Sequence, residues 1–214
     1  MADCRTVTER IGDADGNGLE RLVFFSDAVV AIAITLLALD LPVPEGDTDA
    51  ALWRSFRDLL PRQYLTFLLS FVVVAAFWRA HHRFFRHVAR IGPGLVGANT
   101  LFMFTIVVLP FATRVLGEKN GTRFGTILYA LAVVAVGLSL LLLLLIVLRG
   151  NLLRPGTPPA LRVDMVRGVT VPIAAFLLSI PLAFVNVSLA KYSWLFLSVL
   201  AVFALRAYDA LRRR

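Results

Sequence analysis

Apolar runs long enough to cross a bilayer follow one another from Leu22 to Leu205, and this succession constrains the fold more than any other feature. A helix needs about 20 apolar residues to span the hydrocarbon core, and about 18 uncharged ones already qualify as a candidate. Six runs can be drawn: Leu22–Leu41, Tyr64–Ala80, Leu95–Leu116, Phe124–Leu148, Val166–Val187 and the shorter Tyr192–Leu205. The third contains Asn99 and Pro110, and the fifth is interrupted by Pro172 and Pro181. A mean hydropathy of +0.79 is rarely reached by a water-soluble domain. The expected class is an all-α integral membrane protein with six transmembrane helices per chain.

The net charge of +8 would suggest nucleic acid in a soluble protein. Here the arginines lie mostly between apolar runs, so they read as membrane anchors and nucleic-acid binding is not expected. Arg5, Arg10, Arg21, Arg83, Arg86, Arg90, Arg149, Arg154, Arg162, Arg167, Arg206, Arg212, Arg213 and Arg214 fall on one side. They outnumber the basic residues of the other side two to one, which predicts a cell (plasma or inner) membrane protein with both termini cytoplasmic. The expected division is a polar cytoplasmic tail, 1–20, one six-helix membrane domain, 21–210, and a basic end, 211–214. The tail has no apolar signal-peptide core, so the first run is expected to be retained. Its Cys4 is the single cysteine, which leaves no internal disulfide. Among the connections, "PVPEGDTDAALWRSFRDLLPRQ" puts Trp53, Phe56, Leu59 and Leu60 near one helical face, as in a helix lying on the interface. "RGNLLRPGTPPALRVDMVR" is Pro/Gly-rich and reads as a mobile linker.

The first run carries Ser26 and Asp27 just inside one end and Thr35 mid-span. At about 100° per residue, Ile32, Thr35, Leu36 and Leu39 share one face, while Ser26 and Asp27 point away from it. Asp27 falls on the side of Ala31 and Ala38. Small residues permit close helix approach in lipid, and an ionisable group there needs protein partners. Asp27 is therefore expected to anchor this helix to its neighbours. The branched stripe around Thr35 is free to pack, to face lipid or, in a symmetric oligomer, to face a central axis.

Partners for Asp27 are at hand in "FWRAHHRFF". Trp78 shares a helical face with His82 and lies three residues from His81, and indole and imidazole N–H groups both donate to carboxylates. Asn99 falls at the same level by the expected topology, so Asp27, His81 or His82 and Asn99 can form one interhelical cluster with Arg21 at its edge. Two adjacent histidines cannot both face one site on a regular helix, and no HExxH accompanies them, so no metal is expected. No Walker or GxGxxG loop occurs, and Ser26 lacks a nucleophile elbow, so no enzyme and no cofactor is expected.

Arg21, Phe25, Ser26 and Asp27 form the pattern R-x-x-x-F-S-D, followed by "AITLL", "FWRAHHRFF", "NTLFMFTIVVLPFATRVLGE" and "YAL". In this order they resemble the transmembrane protein 175 family of endosomal and lysosomal potassium channels and its bacterial relatives. The resemblance covers about Arg21 to Leu131; Ala28, where bacterial members often carry Gly, and the doubled Phe24–Phe25 are modest departures. It implies a six-helix unit, one per chain in bacterial members, assembling as a homotetramer. It also implies a pore lined by the first helix, with a constriction at Ile32, a hydroxyl at Thr35 and a further apolar ring at Leu39, Leu36 standing beside them. No TVGYG filter occurs in family or chain. The function that the resemblance implies is a weakly selective, leak-like potassium channel. Monovalent cations would meet Thr35 transiently, and Arg21, Phe25, Ser26, Asp27, Trp78, His81, His82 and Asn99 would hold the pore helix. Two alternatives belong to other classes. A proton-coupled transporter would relay through Asp27 and His82 and would need broken midplane helices in matching repeats. The other is a non-conducting scaffold.

Overall fold

The computed structural model describes residues 4–194 and, within the first helix, side chains from Asn17 onward. The described chain is all helical. α1 runs Cys4–Leu39, α2 Asp49–Leu59, α3 Leu65–Phe85, α4 Leu95–Glu118, α5 Arg123–Arg149 and α6 Pro159–Val185. Among the described residues, five segments are long and apolar enough to cross a membrane: Asn17–Leu39, Asp49–Phe85, Leu95–Glu118, Arg123–Arg149 and Pro159–Val185. α4, at 24 residues, is about 36 Å long at 1.5 Å per residue. Asn186 ends α6, and its Oδ1 accepts from the backbone N–H groups of Ser188 and Leu189 at 2.8 and 3.2 Å, opening a further helical stretch at Val187. The expected sixth span at Tyr192–Leu205 lies, beyond Trp194, outside the described residues, as do Arg206 and the basic end 211–214.

Local chemistry sets the boundaries. α2 starts at Thr48, whose hydroxyl accepts from Ala51 N–H at 3.3 Å. It buries no residue, and its Trp53 is exposed, in keeping with the interfacial helix expected. A π-helical turn, Leu60–Tyr64, joins it to α3 without a break. Pro61 has no N–H to offer the preceding turn, so the ladder widens there instead of closing. α3 begins where the second run was expected to begin but continues through "HHRFF", five residues past Ala80.

The Pro/Gly-rich segment differs from its expected mobile state. α6 opens at Pro159, seven residues before Val166, because a proline at the first helical position forfeits only an N–H that has no partner anyway. The remaining loop is pinned to the loop after α3. Ala89 N–H donates to Leu152 O and Arg154 N–H to His87 O, both at 2.8 Å, with Leu152 buried. Gly92 packs closely there: a Cβ would lie 2.6 Å from the methyl ends of Leu152, which would have to shift.

α4 is the centre of the bundle, packed against α1, α3 and α5, with α6 on the far side of α5. Leu95, Phe102, Ile106 and Leu109 of α4 and Tyr129, Val136, Leu140 and Leu143 of α5 are essentially inaccessible. α1 leans on α3 and α4 from outside. Its buried stripe is Ser26, Val30, Ala33 and Leu37, spaced i, i+4, i+7, i+11. The small-residue side expected for Asp27 is not the packing side: Ala31 and Ala38 are exposed. Val30, Ala33 and Leu37 are the side that fits against α3 and α4.

Candidate functional site

Ser26 is fully buried where α1 meets α4, and its hydroxyl donates to Leu22 O at 2.8 Å. That spends its one proton, so Ser26 Oγ must accept from Asn99 Nδ2, 2.8 Å away. The amide orientation is then fixed. Asn99 Oδ1 accepts from His81 Nε2 at 2.8 Å, which places a proton on Nε2. The His81 ring stacks on Phe102 with centroids 5.0 Å apart and an 11° tilt, and Phe85 lies at 4.4 Å. One residue from Ser26, Trp78 Nε1 donates to Asp27 Oδ1 at 2.8 Å. Two polar threads thus run from α1, one through α4 to α3 and one to α3 directly.

The remaining expected members sit apart. His82 reaches Asp27 by no hydrogen bond; its ring rests on Trp78, centroids 5.6 Å apart. Both His81 Nδ1 and His82 Nδ1 are buried and have no hydrogen-bond partner among the described residues. Arg21 is exposed and makes no ion pair among the described residues, and Phe25 is exposed as well. No group of three His, Cys, Asp or Glu gathers among the described residues.

The opposite face of α1 is bare. Ile32 is 60% and Leu39 79% exposed, with Leu36 and Thr35 exposed between them. Thr35 Oγ1 donates to Ile32 O at 2.8 Å. Its proton is committed to the helix, so the oxygen presents only lone pairs outward. A continuous apolar stripe interrupted by one acceptor oxygen is what the chain offers along α1.

Two further networks were not singled out from the sequence. Near the other end of the bundle, Ser70 Oγ lies 3.1 Å from Tyr129 Oη and 2.9 Å from Thr113 Oγ1, tying α3, α4 and α5. Arg114 stands beside Asp40 at 3.7 Å and Glu118 at 2.8 Å, joining the end of α4 to the residue after α1. Isolated hydroxyls within apolar runs were the available signal, but spacing alone does not say which helices meet.

The family model described as endosomal/lysosomal potassium channel TMEM175 matches residues 21–110, the segment holding both threads and the bare stripe. The crystal structure of a lysosomal potassium-selective channel TMEM175 homolog from Chamaesiphon minutus superposes with a TM-score of 0.71, covering 89% of this chain and 98% of that one at 28% identity. Over residues 21–110, and in fold, the chain is similar to the TMEM175 family. A potassium channel of Streptomyces collinus is 35% identical over 123 residues, 56% of this chain and 59% of that protein. The endosomal/lysosomal proton channel TMEM175 of Rattus norvegicus is 29% identical over 117 residues, 55% of this chain and 23% of that protein. The chain therefore matches less than two thirds of the length of these TMEM175 relatives.

Proposed function

We propose that the protein is the subunit of a potassium-permeable, weakly selective cation channel, a homotetramer in a cell membrane with both termini cytoplasmic. The observation that carries the reading is the bare face of α1, apolar at Ile32, Leu36 and Leu39 with an outward acceptor at Thr35, on a helix whose other face is fixed by two hydrogen-bonded threads. Four copies of Ile32 around an axis make an apolar neck that gates by dewetting. Leu39 adds a ring about 10 Å further along. Between them, four Thr35 oxygens, each with its proton turned into the helix, replace part of a cation's water shell. The larger potassium ion gives up that water more cheaply than sodium, so a weak preference arises without a carbonyl cage. Ser26, Asp27, Trp78, His81 and Asn99 keep the pore helix in register from behind. The names of the bacterial relatives favour potassium as the ion; that of the rat relative makes protons the ion to exclude by measurement.

The test is potassium flux into liposomes holding the purified protein, beside Ile32→Ala, with sodium, protons and an impermeant cation substituted in turn. A wider neck should raise potassium flux several-fold with the oligomer intact. Flux absent from both variants, or indifferent to Ile32, sinks the pore assignment.

A further inference from the structure

The arginine-rich end of α3 does more than anchor the helix. After the apolar stretch from Leu65, charge begins at Arg79 and returns at Arg83 and Arg86, spacing that stacks three guanidiniums on one face together with His82. These side chains, with Trp78, His87 and Leu161 at the start of α6, line a cavity of about 470 Å³. No carboxylate lines it. The described ion pairs involve only Asp40, Arg114 and Glu118, so none of the three arginines is neutralised by one. His87 Nδ1 faces Arg83 O at 2.9 Å, and His82 keeps a buried ring nitrogen without a partner. Of the acids nearby, Asp27 accepts from the Trp78 indole on α1's side, and Asp164 shares the neighbouring pocket with Arg83 but does not line this cavity and makes no ion pair with that arginine among the described residues.

A concentration of positive charge at the level where an apolar span ends, around a cleft open to the surroundings with an aromatic wall, fits a phosphate ester with apolar chains. We infer that this cavity binds a phosphate-bearing anion, the headgroup of an acidic phospholipid in the leaflet that α3 exits. Guanidinium forks from Arg79, Arg83 and Arg86 hold the phosphate oxygens. Trp78 and Leu161 cover the glycerol backbone. Because the same indole holds Asp27 of α1, occupancy stiffens the Asp27–Trp78 thread and so the first helix. The binding inference does not depend on conduction.

The experiment is native mass spectrometry of the purified full chain released from nanodiscs of phosphatidylcholine alone or mixed with phosphatidylglycerol. Wild type should retain phosphatidylglycerol over phosphatidylcholine. Each arginine replaced in Arg83→Gln and Arg86→Gln should weaken that retention by roughly fivefold, as basic residues do at anionic surfaces. Should the Gln variants lose their oligomer, Arg83→Lys/Arg86→Lys keeps the charge and should retain the lipid more weakly than wild type. Inorganic phosphate added as a competitor separates the two sources. Displacement by phosphate, or an arginine-dependent rise in thermal stability with phosphate alone, marks a site for the free ion and overturns the lipid assignment. Equal retention of the two lipids, or phosphatidylglycerol retention indifferent to every arginine substitution, overturns the site.

Discussion

Asn99 is the residue on which the α1 contact turns, because its amide is the single link between the Ser26 hydroxyl and the His81 ring. Asn99→Leu removes both hydrogen bonds and strands a buried imidazole N–H and a serine oxygen away from water. A stranded buried polar group costs about 1–3 kcal/mol, though measured interhelical hydrogen bonds in membranes average nearer 0.6. Thermal unfolding in detergent should show a loss of about 1–3 kcal/mol for Asn99→Leu. Trp78→Phe keeps the ring against His82 but removes the only donor hydrogen-bonded to Asp27 among the described residues, and Asp27 is half-buried and retains access to water. Its loss should be the smaller, about 1 kcal/mol. The reverse ranking in the same assay would mean that Asp27, not Ser26, carries the contact.

At the scale of elements, close approach joins α5 to α6. A Cβ on Gly137 would lie 2.4 Å from Ile173 Cγ1 and 3.0 Å from Cδ1. Ile173 is β-branched and stiff at its first torsion, so it cannot swing aside freely. Gly137→Ala should therefore destabilise the bundle by about 1–3 kcal/mol. Most of that should return in Gly137→Ala/Ile173→Ala, which empties the colliding volume. A double variant as unstable as the single one would place the strain in the backbone instead. Much of the helix plan was legible in the sequence because it rests on hydrophobic run length: Leu95 and Arg123–Phe124 begin their helices within a residue of expectation. The start of α6 was not legible, since Pro158 and Pro159 read equally as loop or as helix opening. On α1 the wheel separated Asp27 from the Ile32 stripe, yet it gave no way to choose between Ala31/Ala38 and Val30/Leu37 as the packed side. That choice depends on what α3 and α4 present. The pairing of Asp27 with Trp78 instead of His82 was hidden for the same reason: both donors lie on one end of α3, and only the helix crossing selects between them.

For the whole molecule, the question is what covers the bare stripe of α1. Lipid, a packed neighbour and a wet axis all tolerate Ile32, but they differ sharply toward an amide at the same place. Ile32→Asn makes the distinction. Facing lipid, the amide is a polar group in hydrocarbon with nothing to bond, a cost of several kcal/mol, and membrane-inserted yield falls. Buried against another helix, it leaves a void and an unpaired amide and lowers thermal stability. Lining a water-filled neck, it meets water and its opposite numbers, so yield and stability stay near wild type. The dewetting barrier then collapses, and potassium flux should rise several-fold while discrimination against sodium falls. The three environments thus give three separable readouts of one substitution. Only the last combination, an intact oligomer with high and less selective flux, agrees with α1 as the wall of a pore. Leu39→Asn, about two turns further along the same face, should show the same pattern if the apolar wall is continuous.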